Sequence, residues 1–322
     1  MTRRAVFGMF MIAMASLAVS SSATLVKLGS KFFPSTQILL VRYCLQASVS
    51  WYGCYQLGIH PLSQGNARKW VLIRGIVGSF SSFFWYYSIK TLPLADVTVI
   101  TNMHPLFAAV FGAFMLNEPF GWFERACILL CMIGAVLVTK PSFLDFLQDQ
   151  HNNIFMDNSM LVLLQQQTII NDDSTSSLRT LGLISAFLGA ICSAFAYVSV
   201  RKAGPDAHFF NHMLSLALAT IFFSLFDFQS FTLPNDGSFH PYAILTAIVF
   251  SAFLGQCLLN RGLQLAPAGP GTLMCVNEMF FAFLFGIFIF HGYPDYLSIL
   301  GSVMIIAVSA GLGWEKWKSG QS

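Results

Sequence analysis

The chain has 322 residues, of which 56% are hydrophobic and only 10% are charged, and its mean hydropathy is +0.66. A soluble domain carries about 25% charged residues, so this composition excludes an ordinary water-soluble protein and predicts a polytopic membrane protein. The formal net charge of +3 is small, and the basic residues are scattered between apolar segments. We therefore expect the lipid bilayer as surroundings and no nucleic-acid partner.

The seven cysteines all fall inside apolar segments, which favours reduced packing thiols over disulfides. The sequence contains no phosphate-binding loop, no nucleophile elbow and no zinc-protease motif. Their absence argues against an ATP-driven pump and against the familiar hydrolases. We expect a protein that is not an enzyme and that uses neither a metal nor a cofactor.

Ten apolar segments follow one another along the chain, each long enough to cross a hydrocarbon core of about 30 Å as a helix. The first is preceded by Arg3 and Arg4 and ends near small residues similar to those of a signal-peptidase site. We interpret it as a membrane helix, because it is long for a signal peptide and because the internal repeat needs it. The predicted helices cover residues 5–26, 36–57, 70–90, 94–117, 122–139, 180–200, 208–226, 240–261, 271–290 and 296–314.

An internal repeat organises these segments, because residues 92–119 return 174 positions later as residues 266–293. Pro93 then matches Pro267, and the ionisable His104 matches the ionisable Glu278. Five helices per copy is an odd number, so the second copy must enter the membrane from the opposite side, as in many secondary transporters. The sequence therefore predicts an all-α polytopic membrane protein with ten transmembrane helices arranged as two inverted five-helix repeats.

The polar segment 141–179 separates the two repeats, which we expect at residues 5–140 and 180–316. With the N-terminus inside, eleven lysines and arginines fall on the inner side and five on the outer side. This distribution agrees with the positive-inside rule, so we expect both termini in the cytoplasm and the linker on the outer side. A plasma membrane and an endomembrane are both compatible with it.

The helix predicted over residues 94–117 carries a proline at position 105, which removes a backbone donor and predicts a kink. The carbonyl of Thr101 loses its usual helical partner there, and such freed carbonyls can bind a substrate or an ion. Thr101, Asn102 and His104 lie beside the kink on a small and polar stripe, which would equally suit a close helix crossing. We expect these three residues to contact a substrate.

Glu278 lies about 12 Å along its predicted helix, near the middle of the bilayer, and follows Asn277. An ionisable group costs at least about 2.5 kcal/mol at that depth, and its presence is a functional-site hypothesis by default. We expect Asn277 and Glu278 to contact substrate. The carboxyl could also couple proton movement, act as counter-ion of a cationic substrate, or hold an arginine or histidine.

Arg42 lies about 10 Å into the second predicted helix and shares a face with Gln46. Two interpretations are equally open: a clamp for a substrate carboxylate or phosphate, or a fixed bridge to Glu278. We expect Arg42 and Gln46 at the substrate site in the first case. Arg74 and Arg261 lie near the inner surface, where arginines usually reach for the headgroups, and they are further candidates for anion contacts.

These features resemble the EamA-type drug/metabolite transporter superfamily. The resemblance rests on the turn from Leu92 to Asp96, on Pro105 in the middle of the fourth helix, and on Glu118 just after that helix. The segment Arg74-Gly75 with Gly78, and the run from Leu94 to Thr101, are most similar to the G branch of the solute-carrier-35 family.

The resemblance covers residues 5–314 except the central loop, and it implies alternating access around a cavity lined by both halves. The superfamily carries nucleotide sugars, sugar phosphates, amino acids, purines and organic acids, so the resemblance does not fix the substrate. Many relatives have a glutamate–proline pair at the matched point of the repeats. Here the first copy has His104-Pro105 and the second has Glu278-Met279, so no proline dictates a kink in the second copy.

Together the residues and the resemblance predict a secondary transporter or exchanger of a small polar metabolite, expected to be an organic anion because of the deep arginines. Protons or a counter-substrate would drive it. One alternative is a proton-driven exporter of amines or amino acids in which Glu278 meets the cation. Another is a non-transporting regulator that docks other membrane proteins through its tails or its central loop. A stripe of Ser185, Gly189 and Ser193 could serve internal packing or a homodimer.

Overall fold

Backbone amides and carbonyls in a hydrocarbon environment must form their hydrogen bonds within the protein. An α-helix satisfies them within a single segment, so we expect the apolar segments of this chain to be helical. The computed structural model describes residues 2–29, 32–92, 94–118, 121–139, 172–225, 239–289 and 296–318. All regular elements in these segments are helical. The first six are α1 (Thr2–Gly29), α2 (Ser35–Gln56), α3 (Gly65–Thr91), α4 (Leu94–Thr101), α5 (His104–Leu116) and α6 (Trp122–Thr139). The others are α7 (Asp172–Ala203), a 3-10 turn (Gly204–Asp206), α8 (Phe209–Ser224), α9 (His240–Leu265), α10 (Ala268–Leu273), a second 3-10 turn (Met274–Val276), α11 (Asn277–Phe288) and α12 (Tyr296–Lys318).

Six helical segments are long and apolar enough to cross a membrane by length and composition. They confirm a polytopic membrane protein, and every regular element in the described part of the chain is a helix. Helices also lie at the other predicted positions, but the total of ten spans stays a prediction. The six are Arg3–Gly29, Val97–Leu116, Leu178–Asp206, His240–Leu265, Ala268–Phe288 and Tyr296–Glu315.

The structure differs from the prediction at the end of the linker, which the sequence predicts over residues 141–179. Its last part is helical, because α7 begins at Asp172, eight residues before the predicted start at Thr180. The rest of the predicted linker, residues 141–171, lies outside the described residues.

The two most extensive helix interfaces are matched pairs under the shift of the sequence repeat. They join α1 to α9 and α3 to α7. A Cβ atom added to Gly8 of α1 would lie 2.8 Å from the amide nitrogen of Ala266, and one added to Gly182 would lie 2.9 Å from Cγ of Leu92. Moving each residue of the first contact by 174 positions along the repeat gives the second contact, so the close approach recurs in both halves.

Two further contacts join a helix to its own counterpart. The shift carries α2 onto the region of α8 and α6 onto the region of α12, and both pairs are in contact. The helix packing therefore follows the same internal repeat as the sequence.

A polar latch, formed by Glu118, Arg201 and the amide of Ala268, joins the two halves at one end of the helices. Glu118 follows Asn117, whose left-handed backbone (φ 53°) ends α5 and turns the chain back toward the second half. Its Oε1 accepts a hydrogen bond from Nε of Arg201 at 3.0 Å, and its Oε2 accepts one from the Ala268 amide at 2.7 Å. Nη1 of Arg201 also donates to the carbonyl oxygen of Gln264 at 2.7 Å. The latch thus holds the end of α7 and the start of α10 against the first half.

The close approach at Gly8 yields the first prediction. Gly8→Ala should lower the thermal stability of the purified protein, because the new methyl group meets the backbone of α9 at a distance that needs a shift of one helix. Overpacking of this kind costs about 1–3 kcal/mol. Thermal unfolding followed by size-exclusion chromatography in detergent measures the change.

Gly311→Ala on α12 is the matched control, since nothing lies within 4 Å of a Cβ atom at that position. Alanine is also the better helix former, so this variant should be neutral or stabilised. Equal destabilisation by both substitutions would contradict the role of the close approach.

Candidate functional site

Tyr197 of α7 lies where several of the predicted polar residues meet. Its half-buried ring contacts the imidazole of His104 edge to face, with 5.4 Å between the ring centroids. On another side the guanidinium carbon of Arg74 lies 5.8 Å from the ring centroid, within the range of a cation–π contact. Glu278 also interacts electrostatically with the phenol group. Tyr197 therefore connects residues from both halves of the chain. We call Tyr197, His104, Arg74, Glu278 and the polar side chains next to them the central site.

His104 begins α5 at the predicted break in the fourth helix. The break is confirmed, because α4 ends at Thr101 and α5 begins at His104, followed by Pro105. Nδ1 of His104 lies 3.0 Å from the carbonyl oxygen of Thr101, the group that proline leaves without its helical donor. The carbonyl is thus occupied by a side chain and is not free for a substrate. Because a carbonyl only accepts, Nδ1 carries the proton and a neutral ring presents Nε2 as an acceptor. Nε2 is buried and has no partner among the described residues.

The residues around this break divide into an engaged and an available group. Asn102 donates from Nδ2 to the carbonyl oxygen of Thr98 at 2.8 Å and so helps to end α4. The hydroxyl of Thr101, in contrast, is buried without a hydrogen-bond partner in the described part of the chain. Of the two predicted substrate contacts, Thr101 retains an available polar atom.

The matched helix of the second half is also interrupted, although Met279 stands where the first half has Pro105. The 3-10 turn Met274–Val276 separates α10 from α11 at this point. Nδ2 of Asn277 donates to the carbonyl oxygen of Met274 at 3.0 Å, and the hydroxyl of Ser16 donates to the same oxygen at 3.1 Å. Side chains therefore take the place of the helical donors, and the interruption needs no proline.

The two residues at the start of α11 have different surroundings. Oδ1 of Asn277 accepts a hydrogen bond from Ser309 at 3.0 Å, and its amide group is used on Met274, so this predicted substrate contact serves the helix break. Glu278 is the next residue, and its carboxylate interacts electrostatically with Arg42. No direct ion pair joins these two groups among the residues described. The fixed bridge, one of two interpretations of Arg42, is therefore not formed in this structure.

Arg42 and Gln46 of α2 contribute buried polar atoms without partners. The guanidinium carbon of Arg42 lies 5.4 Å from the ring centroid of Tyr43, and its Nε is buried and unpaired within the described segments. Gln46 donates from Nε2 to the carbonyl oxygen of Met213 at 3.0 Å, which ties α2 to α8. The Oε1 atom of Gln46 and the hydroxyl of Ser50, one turn further along, are buried without partners in the same set of residues.

Arg74 does not reach for the headgroups as its position in the sequence suggested. It is only 3% exposed, and its side chain is directed toward Tyr197 inside the protein. Gly78 makes this possible, because a Cβ atom there would collide with Nη1 of Arg74. Its Nε is buried and unpaired in the described part of the chain. Arg261, in contrast, is exposed at the end of α9 and lies outside the central site.

Sequence reasoning missed two residues of this region, Tyr197 and His212. His212 of α8 is fully buried, interacts electrostatically with Arg74, and has no partner for either ring nitrogen among the described residues. Tyr197 has a recognisable signal, because it continues the stripe of small residues Ser185, Gly189 and Ser193 at a spacing of four.

The stripe itself packs inside the protein. The hydroxyl of Ser185 donates to the carbonyl oxygen of Phe84, and Gly189 accepts from Ser81, so this face of α7 lies against α3. Internal packing, one of its two predicted roles, is the role observed. Within the described segments, no group of three or more histidine, cysteine, aspartate or glutamate side chains converges on a metal site.

Comparison with known proteins gives relatives that match between 78% and 96% of this chain. A probable transport protein of Saccharomyces cerevisiae is 27% identical over 84% of this chain and 76% of its own length. Solute carrier family 35 member G1 of Homo sapiens is 26% identical over 78% of this chain and 63% of its own length. A pseudopaline exporter of Pseudomonas aeruginosa is 24% identical over 96% of both chains.

A solved structure shares the fold of this chain, and a family model points to the same class of membrane protein as these relatives. A solved crystal structure has a TM-score of 0.71 over 97% of this chain and 98% of its own, at 15% identity, and thus shares the fold. The model of the EamA-like transporter family matches residues 6–140 and residues 180–314. These matches, and the similarity to solute carrier family 35 member G1, confirm the resemblance found in the sequence. The chain belongs to the EamA-like transporter family of membrane proteins.

Proposed function

We propose that this protein is a secondary transporter or exchanger of a small polar organic anion. It works by alternating access, with two inverted five-helix repeats of ten spans in total, at residues 5–140 and 180–316, closing in turn on the two sides of the central site. Both termini lie on the inner side. Protons or a counter-substrate supply the driving force. Relatives that are named transporters or exporters support the transport activity.

The assignment of an anionic substrate rests on two buried arginine groups that lack hydrogen-bond partners. Arg42 and Arg74 both have a buried Nε without a hydrogen-bond partner among the described residues. A guanidinium offers planar paired donors that fit a carboxylate or a phosphate, and leaving these donors unused in a buried place is unfavourable. Glu278 supplies at most one negative charge nearby, so the two arginines and this carboxyl group leave a net positive charge. A substrate anion would neutralise it.

Neutral groups of the central site would recognise the rest of the substrate. Nε2 of His104, Oε1 of Gln46 and the hydroxyl of Thr101 are buried and unpaired in the described segments. Two of these are acceptors, and the hydroxyl can donate or accept, so they suit the hydroxyl or amide groups of a small metabolite. Such a combination favours a polar anion over a purely apolar one.

The packing supports alternating access between two related halves. The contacts of Gly8 with Ala266 and of Gly182 with Leu92 repeat under one shift, as inverted repeats require. The latch closes one end of the helices through two hydrogen bonds that cross between the halves, and the one between Arg201 and Glu118 is also an ion pair. Opening this end would require Glu118 to release both Arg201 and the Ala268 amide.

Glu278 favours a second candidate function, a proton-driven exporter of amines or amino acids. Its carboxylate has no direct ion pair among the residues described, so it is available to a cationic substrate. A carboxyl group can also take up and release a proton, which a proton-driven exporter requires. In this candidate the substrate cation and the proton compete for Glu278.

Binding of ligands to the purified protein separates the two candidates. In a thermal-shift screen of organic acids, sugar phosphates, nucleotide sugars and amines, we expect anions to raise the unfolding temperature of the wild type. Arg42→Gln and Arg74→Gln should weaken this binding about tenfold to a hundredfold, because each removes charge-assisted hydrogen bonds of about 1.5–3 kcal/mol.

Arg68→Gln is the matched control, since Arg68 is an exposed arginine at the start of α3. It should leave the anion response intact. If only amines stabilise the wild type, and Glu278→Gln abolishes their effect, the anion assignment is wrong and the amine exporter takes its place.

Proton coupling by Glu278 predicts a separate change in transport. In proteoliposomes, Glu278→Gln should abolish the accumulation of substrate that a pH gradient drives, because glutamine cannot exchange a proton. Exchange of external for internal substrate without a gradient should continue, which shows that the variant still folds and binds. Accumulation equal to that of the wild type would contradict a role of Glu278 in coupling.

The latch predicts a local change in backbone protection. In Glu118→Ala the amide of Ala268 loses its acceptor, so its hydrogen exchange should accelerate about tenfold for each 1.4 kcal/mol of lost interaction. Mass spectrometry of peptides that cover residues 264–269 measures this. Asp206→Asn removes an exposed acid outside the latch and should leave the exchange unchanged. Unaltered exchange in Glu118→Ala would mean that the latch does not hold this end closed.

A further inference from the structure

A cavity of about 430 Å³ opens at the end of α1 and α9, apart from the central site. It lies between the first turns of α1, the last turns of α9 and the 3-10 turn that follows α7. Two arginines and several apolar side chains line it, and no acidic side chain is among the lining residues. These are Arg4, Phe7, Met11, Pro205, Arg261, Gln264 and Leu265.

The arginine on the α9 side is held by a buried network. Nη1 of Arg261 donates to Oε1 of Gln264 at 3.2 Å, and Nε2 of Gln264 donates to the carbonyl oxygen of Ala207 at 2.6 Å. Gln264 is only 5% exposed, so the amide that positions the guanidinium is itself fixed. Neither Arg4 nor Arg261 forms an ion pair within the described residues. Their positive charges are therefore both available to an anion in the cavity.

The lengths of the helices that flank the cavity indicate that it lies near the lipid headgroups. Helix α9 has 26 residues and is therefore about 39 Å long, which exceeds the thickness of a hydrocarbon core of about 30 Å. Arg261 and Gln264 are in its last turns, and Arg4 is in the first turn of α1. Both arginines thus lie near the ends of helices that are longer than the hydrocarbon core is thick, where their side chains can reach the headgroups.

An apolar surface continues from the cavity along α1 toward the hydrocarbon. Phe7 lines the cavity and is 57% exposed, and Phe10 and Met14 follow it at helical spacing with 61% and 39% exposure. A free phosphate ion would contact the arginines and leave this apolar surface uncovered. A lipid with an anionic headgroup would contact the arginines with its phosphate and the apolar surface with an acyl chain.

We propose that this cavity binds the headgroup phosphate of an anionic phospholipid, with Arg4 and Arg261 contacting the phosphate and an acyl chain lying along Phe7, Phe10 and Met14. The site joins α1 of the first half to α9 of the second half. It also lies next to the latch, because the carbonyl of Gln264 accepts from Arg201. Bound lipid would therefore brace the same end of the protein that the latch closes.

Lipid binding to the intact purified protein tests the proposal. Delipidated protein in a neutral detergent is titrated with phosphatidylserine or phosphatidylcholine, and bound lipids are counted by native mass spectrometry while thermal unfolding is recorded. Phosphatidylserine should bind and raise the unfolding temperature more than phosphatidylcholine does. The double variant R4Q/R261Q should bind phosphatidylserine about 30-fold more weakly. Each arginine near an anionic headgroup contributes about 1 kcal/mol of electrostatic attraction, and the loss of two such contributions corresponds to this change in affinity.

Two further variants control for charge and for folding. R68Q/K69Q removes two exposed positive charges that do not line the cavity, and it should retain wild-type binding. R4K/R261K retains both charges and should bind more strongly than R4Q/R261Q. If the double glutamine variant fails to fold, the single variants Arg4→Gln and Arg261→Gln, compared with R68Q/K69Q, provide the same test.

The results that would overturn the proposal are distinct from those that concern transport. Equal binding of phosphatidylserine to wild type and R4Q/R261Q would exclude this cavity as the site. Glycerol 3-phosphate and inorganic phosphate are tested in parallel on the wild type, R4Q/R261Q and Arg42→Gln. If they stabilise the wild type as strongly as phosphatidylserine does, and R4Q/R261Q removes this effect while Arg42→Gln retains it, the cavity binds a soluble phosphate and the lipid assignment is wrong. A phosphate effect that only Arg42→Gln removes belongs to the central site, so failure of this proposal and failure of the proposed function give different results.

Discussion

The need to satisfy every backbone polar group away from water constrains this fold more than any other factor. The chain interrupts two of its helices at matched points, and each interruption leaves carbonyls without their helical donors. His104 supplies Nδ1 to the carbonyl of Thr101 in the first half, and Asn277 and Ser16 supply donors to Met274 in the second. Polar side chains are thus needed at these depths for structural reasons alone.

The same requirement separates structural from functional polarity in the central site. Asn277 uses both ends of its amide on the protein, and Asn102 uses its amide group to end α4. Arg42, Arg74 and His212 instead retain buried atoms without partners in the described part of the chain. Buried polar atoms without hydrogen bonds are unfavourable in a dry interior. The place where they cluster is therefore the place where a polar ligand could supply the missing hydrogen bonds.

The fold was largely predictable from the sequence, because it follows from the length and apolarity of segments and from one repeat. Helices occur at all the predicted positions, and the break before Pro105 is where a missing backbone donor places it. The second break was not predictable from proline, because Asn277 and a 3-10 turn produce it instead. Its position was available only from the match between His104 and Glu278.

The central site was predictable only in part, because the sequence does not show in which direction a long side chain extends. Spacing along a helix gives the face of a residue but not the direction in which a long side chain extends. Arg74 was therefore assigned to the inner surface, whereas Gly78 leaves room for its guanidinium to extend inward to Tyr197. Tyr197 and His212 were missed because a tyrosine and a histidine in apolar helices carry no charge signal, and only packing shows that they meet the arginines.

The latch has a consequence for the balance between the two membrane faces, because only one half of the repeat supplies its acid. The position that matches Glu118 in the second half is Gly292, which has no carboxylate. A carrier with unequal closures spends unequal times open to each side when it is empty. Such a bias leaves the final gradient unchanged, since the driving force alone sets it, but it makes the half-saturation concentrations on the two faces differ. A protein whose halves repeat in sequence would in this way be asymmetric in its kinetics.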